Sequence, residues 1–249
     1  MTTNTQNSEF IAIDGVQVRT ISIEQKRLVI VRGHSGSGKS TFASTYLFAL
    51  DDAFKRDHPL LADQLKAIKL ENDEFLYEKD EKGNTVYNWS FENLDKAQKQ
   101  LAKTFDYCVN KNYNLIILSN VFATQKSAQK FIDIGKDNGY EIEIYRTQNW
   151  YPNVHNVAQS RVIDMFMQIE ANRFENQIDV PIKSGNEKMQ QLAQDILKAR
   201  KDFDNKNLPY DSEHNTYVTK DYLLANHIVG GYLIKRSERY PNLSVLKYK

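Results

Sequence analysis

Residues 31–41 read VRGHSGSGKST, and within them Gly33, Gly38, Lys39 and Ser40 fall on the spacing G-x-x-x-x-G-K-[ST] of a phosphate-binding P-loop. The chemistry follows from backbone geometry. Glycines let the chain turn tightly and aim successive N–H groups at one anion, and a helix that starts there adds the positive end of its dipole. Gly33, Ser35, Gly36, Ser37, Gly38, Lys39, Ser40 and Thr41 therefore form the expected nucleotide cradle. Lys39 is expected to reach the β- and γ-phosphates and Ser40 to ligate Mg²⁺, while Thr41 helps to start the helix.

The flanks support the motif. "RLVIVRG" (27–33) is a continuous apolar, β-branched run of the kind found in buried parallel strands. After the loop, Phe42, Tyr46, Leu47 and Leu50 recur at helical spacing. The alternation continues outward, with strands expected at 67–73, 113–120, 140–147 and 177–182 and helices at 91–111, 124–139, 156–174 and 186–203. Strands alternating with helices of this length predict an α/β fold with a parallel sheet. Residues 205–249, with Gly230-Gly231 and many tyrosines, carry no clear period. The expected division is a tail at 1–22, an ATP-binding domain at 23–184 and a helical or irregular extension at 185–249.

At 249 residues the chain can bury a full core without staples, and its single cysteine, Cys108, excludes a disulfide framework and reads as a buried thiol in a helical stripe. The polar start "MTTNTQNSEF" lacks the pattern of a signal peptide, and no apolar run approaches the ~20 residues of a membrane span. A cytoplasmic protein without membrane contact is expected. The net charge of +1 gives no chain-wide attraction for nucleic acid, so polyanion binding would have to come from a local groove. The last 15 residues hold five Lys or Arg against one Glu, which suits a solvated tail as well as a polyanion contact. No Asn-Lys-x-Asp element marks a guanine site, so ATP is the expected nucleotide.

"LENDEF" (70–75) places Asp73 and Glu74 after the second expected strand, at the sheet edge that the loop also occupies. Phosphoryl transfer needs a carboxylate to accept the acceptor's proton, and Asp73 is the candidate base, with a solvated loop acid as the alternative reading. Arg161 is the candidate lid arginine, with Arg146 and Arg173 behind it; each would equally suit a surface position. Trp150 and Tyr151 are aromatic candidates for packing or for stacking on a base.

Taken together, "VIVRGHSGSGKST", "ENDEF", "LIILSN", "GYEIEIYR" and "NVHNVAQSRVIDMFMQIE" resemble the polynucleotide-kinase-like branch of small P-loop kinases, an AAA-type ATP-binding family. Asn153, His155, Val157, Val162, Met165 and Glu170 fall on a recurrent spacing of that branch, with Ile169 at an aromatic position. The resemblance spans residues 27–172 and implies a sheet in the order 2-3-1-4-5. It further implies transfer of the γ-phosphate of ATP to a hydroxyl, often the 5′ end of a nucleic acid. Mg²⁺ is expected on Ser40 and water, with Asp73 sharing the work. A zeta-toxin-like kinase acting on a small nucleotide sugar is the second reading. An ATP-binding regulator with weak or no transfer is the third, because Ser119 stands where relatives commonly carry an acid near the metal. Asn156 and Ala158 also replace the usual glycine and proline after the histidine, which itself suits a phosphate contact or a loop tie. The acceptor and the oligomeric state are left open.

Overall fold

The computed structural model describes residues 9–152, 157, 159–191, 193 and 194, together with the strand segments 210–211, 216–217, 228–229, 232–234 and 245–247. The chain opens with strands β1 (Phe10–Ile13) and β2 (Val16–Arg19), then β3 (Arg27–Arg32), helix α1 (Lys39–Asp57) and β4 (Ala67–Leu70). Strands β5 (Tyr77–Lys79) and β6 (Thr85–Tyr87) precede α2 (Phe91–Asn110), β7 (Leu115–Ser119), α3 (Gln125–Asp137), β8 (Glu141–Arg146), α4 (Gln159–Ala171) and β9 (Gln177–Asp179).

The central sheet is parallel throughout and runs β4-β7-β3-β8-β9. Numbered by chain order within this sheet, that is 2-3-1-4-5, as the resemblance implied. Strand β3 lies in the middle and is buried along its whole length, because both faces are covered. Its odd residues Val29 and Val31 pack with Phe42, Ala43, Tyr46 and Leu50 of α1. Its even residues Leu28 and Ile30 pack with Leu101, Phe105 and Cys108 of α2 and with Ala128 and Ile132 of α3. Cys108 is thus a core residue, and burial pushes its thiol pKa up.

Two hairpins were not anticipated. Residues 10–19, inside the segment expected to be a tail, pair as β1 and β2, and Ile13, Val16 and Val18 join the core under α1. The turn at Asp14-Gly15 has positive φ at both residues, 46° and 84°, as a two-residue hairpin turn requires. The second hairpin, β5 and β6, is inserted between the end of β4 and α2. Its turn is fixed by Asp80, whose Oδ1 accepts from the backbone N–H of Lys82 at 2.9 Å and of Asn84 at 2.8 Å. For the helix expected at 156–174 the structure gives α4 over Gln159–Ala171, and that expected at 186–203 is described only as far as residue 194. In the region without clear period, Tyr210–Asp211 pairs with Thr216–Tyr217, and Ile228–Val229, Tyr232–Ile234 and Val245–Lys247 form a three-stranded antiparallel sheet.

Candidate functional site

The loop from Gly33 to Gly38 leaves the central strand and feeds α1, so it stands at the carboxyl edge of the sheet. Helix α2 is capped by Ser90 and α3 by Thr124, whose side chains accept from backbone N–H groups one turn on. Helix α1 has no side-chain cap; Gly38 occupies that position at φ 92°, a left-handed conformation that favours glycine. Its first-turn N–H groups are left for an anion. Gly33 is required for a different reason. A Cβ there would lie 2.7 Å from the Thr147 carbonyl oxygen and closer still to Ser37 Oγ, which hydrogen-bonds Thr147 Oγ1 at 2.7 Å. The other side of the loop is tied to the chain after β8, where Asn149 N donates to Ser37 O and Tyr151 N to Gly36 O.

Lys39 folds back across the loop and donates from Nζ to His34 O at 2.8 Å. Burial lowers its pKa to about 8, against the opposing fields of Asp73 and Glu71. Lys39 and the candidate base Asp73 thus lie near enough for their charges to interact. Asp73 lies in a short 3₁₀ turn, Asn72–Phe75, directly after β4. Its Oδ1 accepts from Tyr87 Oη at 2.9 Å, and the Asn72 N–H donates to Asn120 Oδ1 at 2.9 Å, so the turn is tied to β6 and to the end of β7. Glu74 is more exposed and pairs with Lys69 at 3.7 Å; burial pushes its carboxyl pKa up. Ser40 and Thr41 are exposed in the first turn of α1, and Ser35 and Gly36 are half-buried at the loop tip.

Sequence reasoning passed over His34. It is 1% exposed, its Nδ1 donates to Ser35 O at 2.9 Å, and its ring stacks on Trp150 with centroids 4.0 Å apart. Burial lowers its pKa to about 3, so the ring is neutral. Trp150 is a packing residue: its backbone N–H donates to Asn186 Oδ1 and its indole Nε1 to Gln190 Oε1 at 2.8 Å. Residues 186–190 thereby brace the loop from behind. Tyr151 is exposed and lines a cavity of about 140 Å³ with Gly38, Thr41, Thr147, Asn149 and Lys183.

The arginine candidates separate. Arg146 is buried, donates to both carboxylate oxygens of Asp179 and pairs with Glu170, while Arg173 bridges the same two acids. These two arginines lock β8, α4 and β9 together, which corrects the expectation that either serves as a mobile lid group. Arg161 is exposed near the start of α4 and pairs with Asp164 at 2.8 Å. Phe166, further along that helix, packs edge-on against His34 at 6.1 Å, which anchors α4 beside the loop. Of the series expected after residue 150, Val162 and Ile169 are buried and Glu170 belongs to the arginine network. Asn153, His155, Asn156 and Ala158 lie outside the described residues.

Around Asp73 the surface is aromatic. Tyr77 packs edge-on against Tyr87 at 5.3 Å, and the rings of Trp89 and Phe91 lie tilted against each other at 5.2 Å. Trp89 is 52% exposed and Phe91 74% exposed, a large apolar surface left open to solvent.

A family model for an AAA domain, AAA_33, matches residues 28–148, from β3 to just beyond β8. Among solved structures the chain is similar to a Pnkp1/Rnl/Hen1 complex, at 17% identity and a TM-score of 0.38, covering 65% of this chain and 47% of that one. It thus spans about half the length of that relative. An APS kinase, CysC, of Mycobacterium tuberculosis gives 15% identity and a TM-score of 0.34 over 70% of this chain and 98% of that one. The PezAT toxin-antitoxin system of Streptococcus pneumoniae gives 18% and 0.37 over 64% and 59%. These likenesses are distant, and the P-loop kinase-like fold rests on the chain's own sheet order and loop. The uncharacterized protein PM0531 of Pasteurella multocida is nearer, with 35% identity over 160 residues that cover 62% of this chain and 82% of that protein. At that identity and coverage, the chain belongs to the family of PM0531.

Proposed function

We propose that the chain is an ATP-dependent phosphotransferase that moves the γ-phosphoryl group of ATP to an acceptor hydroxyl, with a polynucleotide 5′-OH as the favoured acceptor. The observation that carries this reading is that Lys39, at an uncapped helix start, feels the charge of Asp73 in the turn after β4, two strands across the sheet edge. A transferase needs both a phosphate cradle and a group that takes the acceptor's proton.

In this reading the triphosphate lies along Gly36–Thr41, and Lys39 leaves the His34 carbonyl to meet its β- and γ-oxygens. The adenine takes the cavity beside Tyr151. The acceptor oxygen attacks Pγ in line, the bond from Pγ to the β,γ-bridging oxygen breaks, and ADP leaves with that electron pair. The acceptor proton passes to Asp73, held in place by Tyr87. Arg161 is the group available on α4 to meet charge on the transferring phosphoryl.

The residues present fit a magnesium ion. Ser40 is exposed beside the cradle, and two buried atoms at adjoining strand ends, Glu71 Oε1 and Ser119 Oγ, have no hydrogen-bond partner. Bound, the ion would neutralise negative charge on the nucleotide's phosphates.

The exposed Trp89 and Phe91 beside the Asp73 turn support an acceptor that carries bases, since base-on-aromatic stacking is worth ~1–3 kcal/mol per base. The hairpin itself favours a second reading, a nucleotide-sugar kinase. Its charges, Glu78, Asp80 and Glu81 against Lys79 and Lys82, offer no basic track for a long polyanion. Incubation with γ-labelled ATP and Mg²⁺ separates the two: label on 5′-hydroxyl oligonucleotides supports the first, and label on nucleotide sugars alone selects the second. No transfer to either would leave only nucleotide binding.

A further inference from the structure

We propose that Glu71, at the carboxyl end of β4, together with Ser119 at the end of β7, forms the protein's side of the magnesium site for the bound nucleotide. The inference rests on the nucleotide-binding reading above and assigns it residues that the motif does not name.

The starting point is cost. Glu71 is only 7% exposed, and a carboxylate taken that far from water must be compensated at each oxygen or destabilise the fold. One oxygen is compensated: Oε2 meets Lys69 Nζ at 3.2 Å. The other, Oε1, is buried with no hydrogen-bond partner, and so is the hydroxyl of Ser119, which is 3% exposed. Two such atoms at unrelated places would be incidental. These two are neighbours by register. The last paired residues of β4 and β7 are Leu70 and Leu118, so Glu71 and Ser119 follow at the next position on strands about 4.8 Å apart.

Alternation along each strand says which way they face. Leu70 and Leu118 belong to the core under α2 and α3, so the residues that follow them turn to the opposite side. Ser119 pairs with Val31, which lies in the core under α1. That is the face from whose start the loop presents Lys39 and Ser40. The field of Glu71 at Lys39 agrees with this placement, since the two carboxylates that hold charge on that ammonium are Asp73 and Glu71. The carboxylates then divide the work. Asp73, two residues on and bonded to Tyr87, faces the acceptor, and Glu71, behind the loop, faces the ion and its waters. Because an adjacent strand supplies the acid, Ser119 at the end of β7 need not be one.

The test uses Mn²⁺ as the probe ion with a non-hydrolysable ATP analogue. Titration calorimetry with and without the metal, and electron paramagnetic resonance of bound Mn²⁺, read binding directly without turnover. In the native chain the metal should tighten analogue binding. Glu71→Gln should retain nucleotide binding in EDTA while weakening Mn²⁺ at least about tenfold. Placing the acid one strand over, in Glu71→Gln with Ser119→Asp, should restore Mn²⁺ binding to within about threefold of native. Ser119→Asp alone, which leaves Glu71 in place, should tighten Mn²⁺, and it serves as the readout if Glu71→Gln does not fold. Mn²⁺ affinity unchanged in Glu71→Gln, or in Ser119→Asp when that is the only folded variant, overturns the proposal and makes Glu71 a structural carboxylate satisfied by water. Failure of the native chain to bind the analogue under either condition overturns the nucleotide reading instead.

Discussion

Nucleotide affinity should depend on pH through Lys39, and the dependence can be worked from its surroundings. In the free protein the ammonium is desolvated, with a pKa of about 8, and rests on one carbonyl oxygen, that of His34. A triphosphate in the cradle favours the charged form strongly, so bound nucleotide raises that pKa and binding above neutrality draws in a proton. With a pKa of about 8 in the free state, the lysine is roughly nine-tenths charged at pH 7 and roughly one-tenth at pH 9, so ATP affinity should fall about tenfold, ~1.4 kcal/mol, across that range. At pH 8 roughly half a proton should be taken up per ATP bound. Calorimetry in buffers of different ionisation enthalpy measures both. Lys39→Ala should lose most of the affinity and all of the slope, whereas Lys39→Arg, charged throughout, should lose the slope and keep part of the affinity. A flat native profile with no proton uptake would refute the placement of a desolvated Lys39 against the phosphates.

Asp73→Asn should leave ATP binding intact and reduce transfer by roughly 10²- to 10⁴-fold, measured as initial rates at saturating ATP; unchanged turnover removes Asp73 as the base. His34 has its folded pKa depressed to about 3, so its contribution to stability is present in full above the unfolded value of about 6.5 and is lost as pH falls from there toward 3. Between pH 7 and pH 5 this amounts to about 2 kcal/mol, and denaturant titrations of His34→Phe should show that much less acid sensitivity than the native chain. Trp89→Ala combined with Phe91→Ala should raise the acceptor KM about tenfold while the ATP Kd stays put; an unchanged KM would separate the aromatic surface from acceptor binding.

Much of this was legible in the sequence because the signals were local. The loop motif, the buried run before it and the helical period after it are all fixed by neighbours within a few residues, and the sheet order followed once the alternation was matched to a resemblance. The two hairpins were missed for different reasons. "IAIDGVQV" carries both the alternation and the Asp-Gly turn of a hairpin, but its four-residue strands sit behind a polar start that reads as a tail. In the second hairpin, β5 is exposed throughout, so hydrophobic alternation gives no signal, and side-chain bonds from Asp80 set the turn instead.

The proposed site was legible in part. Lys39 and Ser40 are named by a motif, and Asp73 by its position after a strand. Glu71 stands two residues from Asp73 in the same short stretch, and nothing in its identity separates a solvated acid from a buried one with an open oxygen. That distinction arises from the pairing of β4 with β7, which joins residues 48 positions apart, as the Asn72 to Asn120 hydrogen bond also does. Arg146, Arg173 and Arg161 look alike in sequence for the same reason. Only the approach of Asp179 and Glu170 makes the first two structural and leaves the third at the surface.

The most direct test of phosphoryl transfer is the fate of the label from γ-labelled ATP after incubation with Mg²⁺ and 5′-hydroxyl oligonucleotides. Label should appear at the 5′ end with the native chain and be absent with Lys39→Ala and Asp73→Asn. Transfer that persists in both variants, or no labelled acceptor in a panel that also includes nucleotide sugars, would contradict a phosphotransferase built on these two residues.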